Sequence, residues 1–222
     1  MPPRKLLIAC GGDFHDFRGV AAELKNALEE CGFAADLALD DLEHLARLPG
    51  SGYDAVVFYH TLGVLTAGQE SGLVSYIAAG GGFVGVHSAA DSFRDSPVYR
   101  SMIGGYFIEH PHYRPYQVSI VPGHELTGEL DPEFFVEDEM YVTSYDSRVQ
   151  VLATALWKGG TVPVAWCKAW GAGRVFYLAL GHDPRACRQD AFLALLRRGT
   201  EWASQASTPG QGTPALAEQI TE

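Results

Sequence analysis

Residues 80–91, with the sequence GGGFVGVHSAAD, place the strongest constraint on how this chain can fold. Three glycines precede a short apolar run, and His87 and Ser88 follow it directly. A short apolar run between turn-forming residues is typical of a strand covered on both faces, as in a parallel sheet. Open α/β sheets bind ligands outside the carboxyl ends of their strands. The pattern therefore predicts that His87 and Ser88 lie where such a fold carries its site.

Three more apolar runs are each followed by a histidine. They are residues 5–10 with His15, residues 54–59 with His60, and residues 174–180 with His182. A single histidine after a strand is most often a loop residue with no further role. Four of them at the ends of parallel neighbours would meet at one edge of the sheet, so together they predict a shared site.

The rest of the chain predicts an α/β fold with a mostly parallel sheet and helices on both faces, because strand and helix patterns alternate in the first half. Asp40 is predicted to N-cap a helix over residues 40–48, and Thr66 with Gln69 forms a capping-box pattern. Three strands are predicted over residues 149–155, 163–170 and 174–180, with a hairpin turn between the last two, and a helix follows over residues 189–205. The expected domain covers residues 1–206, and the polar residues 207–222 are predicted to be disordered.

Charge and cysteine usage exclude several classes of protein. The formal net charge is −11, from 16 basic and 27 acidic residues, and no basic run is present, so nucleic acid is not an expected partner. No apolar run has the length of a membrane span. The four cysteines have no CxxC spacing, which predicts reduced thiols in a cytoplasmic protein. The sequence leaves open whether the chain forms a homo-oligomer.

Over residues 5–203 the chain resembles the ThuA-like (trehalose-utilisation) family. The resemblance rests on the order of several short motifs, which are Gly11-Gly12 with His15-Asp16-Phe17, residues 80–87, Gly104-Gly105-Tyr106-Phe107 with His110-Pro111, His124, Asp138-Glu139-Met140-Tyr141, residues 171–177, Gly181-His182-Asp183 and Trp202-Ala203. It implies a flavodoxin-like fold similar to class I glutamine amidotransferases. The family's association with trehalose implies a small carbohydrate, a sugar or keto-sugar, as the ligand.

In those amidotransferases a nucleophilic cysteine occupies the turn after a strand, and the resemblance places His87 at that position. A cysteine-dependent glutaminase reaction is therefore not expected. Ser88 is an alternative nucleophile, but Val86 and Ala90 stand where the G-x-S-x-G frame needs glycines. A serine hydrolase is accordingly the less favoured interpretation.

Three chemistries remain open for the histidines. A divalent metal such as zinc could be held by imidazoles and a carboxylate, and the candidates are His15, His60, His87, His110, His182 and Glu139. No HExxH motif supports this, and the two histidines of residues 110–112 flank a proline that favours a loop. Metal-free acid–base catalysis could use His87, Glu139 and His182. Sugar recognition without catalysis could use the aromatic residues in the middle of the chain.

We expect a carbohydrate-related catabolic protein that acts by hydrolysis or acid–base rearrangement. The predicted catalytic residues are His87, Glu139 and His182. The predicted substrate-binding residues are His15, Ser88, Tyr106, His110 and Tyr141. The alternative is a non-catalytic carbohydrate-binding or regulatory module on an amidotransferase-like scaffold.

Overall fold

A nine-stranded sheet forms the centre of the computed structural model, which describes residues 2–205. The strands of the described chain are β1 (Lys5–Gly12), β2 (Ala34–Leu39), β3 (Ala55–Thr61), β4 (Gly82–Val86), β5 (Gly105–Glu109), β6 (Arg114–Ile120), β7 (Glu133–Asp138), β8 (Val142–Tyr145), β9 (Gln150–Trp157), β10 (Gly160–Trp170) and β11 (Gly173–Leu178). Their order in the large sheet is β2-β1-β3-β4-β11-β10-β9-β6-β7, and β5 pairs with β8 separately.

The first five strands of that order are parallel, and the other four continue the sheet with antiparallel pairing. Strands β3 and β4 are buried along their whole length, which explains why their sequences are apolar without alternation. The predicted α/β class is confirmed, and the order 2-1-3-4 at the parallel end is flavodoxin-like. Because β1, β3, β4 and β11 run in the same direction, their carboxyl ends meet at one edge.

Helices cover both faces of the sheet. They are α1 (Phe17–Glu30), α2 (Glu43–Ala46), α3 (Ala67–Ala78), α4 (Pro97–Ile103), α5 (Pro184–Cys187) and α6 (Asp190–Ala203), with a 3-10 segment at His87–Asp91. Helix α1 contacts α6, and helix α3 contacts both α2 and α4. Thr66 and Gln69 form the predicted capping box at the start of α3. None of these helices is long and apolar enough to cross a membrane.

The helix predicted over residues 40–48 is much shorter, and Asp40 is not its N-cap. Asp40 has a φ of 52°, and its Oδ1 accepts a hydrogen bond from the backbone N–H of Gly12 at 3.3 Å. A contact with β1, distant in sequence, has replaced the local cap. The tail prediction for residues 207–222 lies outside the described residues.

Candidate metal centre

His87 lies in the turn directly after β4, and its own backbone φ is 42°. Its side chain is completely buried, and Nδ1 lies 2.8 Å from the carbonyl oxygen of Ala179. A carbonyl can only accept, so Nδ1 carries the proton and Nε2 keeps a free lone pair. The hydroxyl of Tyr177 donates to the backbone oxygen of His87 at 2.8 Å, which holds the turn from below. The fold therefore presents His87 Nε2 as an acceptor or metal ligand.

Glu139 and His182 meet His87 at that nitrogen. Glu139 Oε2 lies 3.0 Å from His182 Nδ1 and 3.5 Å from His87 Nε2. The two imidazole nitrogens are 3.3 Å apart. Glu139 comes directly after β7 and His182 shortly after β11, so two elements far apart in sequence supply these groups.

His15 completes the cluster from the loop that follows β1. Its Nδ1 lies 2.8 Å from Thr61 Oγ1 at the end of β3, and its ring centre lies 5.2 Å from that of His87 and 5.0 Å from that of His182. The sheet order reverses between β1 and β3, and open α/β sheets bind ligands at such a switch point. Burial, reinforced by the charges of His87 and His182, lowers the pKa of His15 to about 4.

The four side chains His15, His87, Glu139 and His182 each offer one donor atom, and these atoms all lie within 4.8 Å of one another. We call this group the histidine centre. Zinc bonds of about 2.0–2.2 Å in a tetrahedron place neighbouring donors about 3.3–3.6 Å apart. The donor separations of 3.0, 3.3 and 3.5 Å among Glu139, His182 and His87 are close to that edge length. The donor set of three imidazoles and one carboxylate also suits zinc.

The charges in the histidine centre depend on one another. Burial opposes ionisation of Glu139, but the hydrogen bond with His182, and that with His87 when its ring is protonated at Nε2, hold the pKa of this carboxyl well below its usual range. Burial likewise opposes protonation of His182, but its hydrogen bond with Glu139 raises the pKa of this imidazole. The partly buried carboxylate thus keeps a cation beside it. A proton on His182 and a divalent metal ion are competing ways to supply that positive charge.

Asp138 supports the histidine centre from behind, and the sequence analysis did not single it out. Its buried carboxylate accepts backbone N–H groups from Glu139 at 2.8 Å, from Gly181 at 2.6 Å and from His182 at 3.1 Å. Burial raises its pKa, against the opposing effect of His87 and these hydrogen bonds. A signal was present in the sequence, because Asp138 shares the inward face of β7 with Val136 at a period of two.

His110 and Tyr141 lie against the histidine centre. His110 Nδ1 lies 2.9 Å from Glu139 Oε1 and 3.0 Å from the carbonyl oxygen of Pro111, and its side chain is 42% exposed. Tyr141 is buried, and its ring centre lies 3.9 Å from that of His87. His110 is thus the member of this group most open to a ligand, whereas Tyr141 covers one side of His87.

Three other side chains that the sequence placed near the site lie elsewhere. Ser88 is completely buried, and its Oγ has no hydrogen-bond partner among the described residues, so it is not placed to contact a substrate. Tyr106 lies under the guanidinium of Arg100, and no ring contact joins it to the described histidines. His60 is stacked between Phe58 and Phe93 in the core. The direction in which each backbone position points its side chain decided these positions, and sequence spacing alone does not reveal it.

The cysteines show no activated thiol. Cys10, Cys167 and Cys187 are buried, and burial raises the pKa of each, to about 12 for Cys167. Cys31 is exposed after the end of α1, and its pKa is also raised, mainly by desolvation. A thiolate nucleophile needs a lowered pKa. The groups available for chemistry at this edge of the sheet are therefore imidazoles and carboxylates.

Comparison with known proteins identifies the family to which this chain belongs. The model of the family ThuA, described as trehalose utilisation, matches residues 5–203. A ThuA-like protein from Parabacteroides merdae shares 21% identity with a TM-score of 0.84, over 96% of this chain and 93% of that one. A ThuA-like protein from Bacteroides uniformis shares 21% identity with a TM-score of 0.76, over 91% of both chains.

The same fold also occurs inside larger proteins. A β-galactosidase from Rahnella sp. R3 shares 17% identity with a TM-score of 0.66, over 90% of this chain and 31% of that one. No curated protein matches the sequence. At these identities the solved structures establish the fold alone, while the family model supports a carbohydrate-related role.

Proposed function

This chain belongs to the ThuA trehalose-utilisation family, and from that premise we propose that it acts on a sugar or keto-sugar at a divalent metal held by the histidine centre. The proposed reaction is hydrolysis or acid–base rearrangement. The separation of the donor atoms is the observation that carries the proposal. The donor atoms of His87, Glu139 and His182, which follow β4, β7 and β11, lie 3.0–3.5 Å apart. These separations are close to the edge length of a zinc tetrahedron.

The hydrogen bonds around these donors suit metal ligands. His87 is held in the tautomer that leaves Nε2 bare, because Nδ1–H donates to Ala179. His15 is anchored through Nδ1 to Thr61 in the same manner. Metal-bound histidines commonly have their second nitrogen fixed by a carbonyl or hydroxyl, which orients the ring. A histidine that only caps a loop would not need its ring held in one orientation in this way.

A divalent ion in this position supplies a Lewis acid that polarises a carbonyl or lowers the pKa of water. The chain's own groups then position the substrate and move protons. His110 holds its proton at Nδ1 between Glu139 Oε1 and the Pro111 carbonyl, which leaves Nε2 to accept a proton from a sugar hydroxyl. Glu139 stabilises the imidazolium that results. Tyr141 and His110 border the space in which the reacting atoms must lie.

Metal analysis combined with a substrate panel tests this proposal. The purified protein, wild type and His87→Ala, is loaded with Zn²⁺, desalted and analysed for bound metal. We expect about one equivalent per wild-type chain, from the single four-donor group, and a large loss in His87→Ala. The matched control is His44→Ala, because His44 lies on α2, paired with Asp41 and away from the centre.

The same proteins are then incubated with disaccharides and with keto-sugars, with and without added zinc, and products are followed by mass spectrometry. Turnover that requires zinc and is absent in His87→Ala supports the proposal. Full metal binding by His87→Ala, or turnover that survives complete removal of metal, contradicts the metal centre. Sugar binding without any turnover favours the non-catalytic module instead.

A further inference from the structure

A cavity of about 290 Å³ lies beside the histidine centre, between the 3-10 segment after β4, helix α4 and strand β5. We call it the arginine pocket, because Arg94 and Arg100 both line it. Asp91, Tyr106 and Phe107 are further parts of its wall. Tyr106, which the sequence had assigned to the histidine site, belongs to this pocket.

The arginine pocket is joined to the histidine centre through two aromatic rings. Phe107 forms part of the pocket wall, and its ring centre lies 4.5 Å from that of Tyr141 and 5.7 Å from that of His110. Tyr141 in turn lies on His87 at 3.9 Å. The tilted rings of Phe107 and Tyr141 therefore form a row that leads from the pocket wall to His87.

The charge of the pocket differs from that of the rest of the chain. Arg94 forms a bidentate ion pair with Asp91, with N–O distances of 2.7 and 3.0 Å, so the charges of these two side chains cancel. Arg100 lies with its Cζ 3.6 Å above the ring of Tyr106, and no carboxylate among residues 2–205 approaches its guanidinium within ion-pair distance. In a protein of formal net charge −11, the pocket thus keeps one uncompensated positive charge.

The strongest acceptors and the serine hydroxyl of the pocket already have partners. Both oxygens of Asp91 already accept from Arg94, and the hydroxyl of Ser92 donates to the carbonyl of His60. The N–H groups of Arg100 are left to meet a ligand. A neutral sugar hydroxyl both donates and accepts, whereas phosphate and carboxylate oxygens only accept. The planar guanidinium also matches the spacing of such oxygens.

We propose that the arginine pocket binds the anionic substituent, a phosphate or a carboxylate, of a sugar whose ring reaches the histidine centre. Arg100 provides the charge-assisted hydrogen bonds to the anion, and Tyr106 holds its guanidinium flat. The part of this inference that concerns the sugar ring rests on the proposed function. Recognition of the anion by Arg100 does not depend on it.

Titration calorimetry with three probes tests the inference: glucose, glucose 6-phosphate and gluconate, at low ionic strength. We expect the wild-type protein to bind at least one of the anionic probes about tenfold or more tightly than glucose, the ratio that one charge-assisted contact provides. Glucose 6-phosphate and gluconate separate the two sources of negative charge. In Arg100→Gln the preference should fall to within about twofold.

Arg197→Gln is the matched control, because it removes the same charge from the exposed surface of α6. It should keep the wild-type preference. Equal binding of all three probes by the wild type overturns the inference, and so does a preference that persists in Arg100→Gln. If Arg100→Gln does not fold, the wild type is titrated from low to high salt. A preference that does not weaken with salt then overturns the inference.

His87→Ala separates this inference from the proposed function. An anion preference that survives in His87→Ala assigns the anion to the arginine pocket. A preference lost in His87→Ala but kept in Arg100→Gln places the anion on the histidine centre and overturns the inference. Anion preference without metal binding or turnover refutes the proposed function and leaves standing only the recognition of the anion by Arg100.

Discussion

The carboxylate of Asp138 holds the backbone of His182, whose N–H donates to Asp138 Oδ1 at 3.1 Å. The same oxygen accepts the N–H of Glu139 at 2.8 Å, and Oδ2 accepts that of Gly181 at 2.6 Å. Asp138 is 1% exposed, so these bonds are shielded from water. One buried side chain thereby fixes the backbone at two donors of the histidine centre, Glu139 and His182.

Asp138→Asn should weaken metal binding. An amide nitrogen cannot accept, so one or more of the backbone N–H groups loses its partner while the side-chain volume is unchanged. We expect a 10- to 100-fold loss in zinc affinity, roughly the usual cost of removing a group that orients metal ligands. Competition with a chromogenic chelator measures this. Asp131→Asn, at an exposed aspartate, is the control, and wild-type affinity in Asp138→Asn would refute the positioning role.

His110→Ala should separate metal binding from turnover. His110 contacts Glu139 Oε1, whereas the oxygen nearest His87 and His182 is Oε2. We therefore expect the variant to keep its metal content but to lose about 100-fold or more in turnover, the usual contribution of a general acid or base. Metal analysis and product formation on the same sample give both values. Loss of metal along with activity would make His110 a ligand instead.

His15 should make the metal-free protein less stable in acid. Its pKa is lowered to about 4 from an ordinary value of 6.5, so between these values the unfolded chain binds a proton that the folded chain does not. The stability of the wild type relative to His15→Gln should therefore fall as the pH drops from 6.5 towards 4 and stay constant above that range. Urea unfolding in the presence of chelator, at about pH 7.5, 6 and 5, measures the difference. A difference that does not change with pH would contradict the lowered pKa.

Glutamine should not be hydrolysed. His87 occupies the turn after β4, and the three buried cysteines have raised pKa values that oppose thiolate formation. Incubation with glutamine should release no ammonia above the background of heat-inactivated protein. Ammonia release that disappears when any one cysteine is changed to serine would show that a thiol is active after all.

The α/β class and the edge of the sheet that carries His15, His87 and His182 could be predicted from the amino-acid sequence. Uninterrupted apolar runs such as that of β3 predict strands covered on both faces, and parallel strands end on the same side for geometric reasons. Local capping patterns such as Thr66 with Gln69 were also predictable, because they depend on residues three apart. These features follow from short-range chemistry and from the periodicity of the chain.

Only the tertiary structure decided which side chains meet. The sequence predicts that His60 follows a strand as His87 does, yet His60 lies within β3 with its ring stacked between Phe58 and Phe93, while His87 turns into the site at a φ of 42°. Asp138 and Glu139 are adjacent acids, but one supports the backbone and the other joins the donors. Rotamers, turn dihedrals and contacts between distant strands set these outcomes. These side-chain positions depend on packing between segments that are distant in sequence, because no single segment has enough contacts of its own to select them.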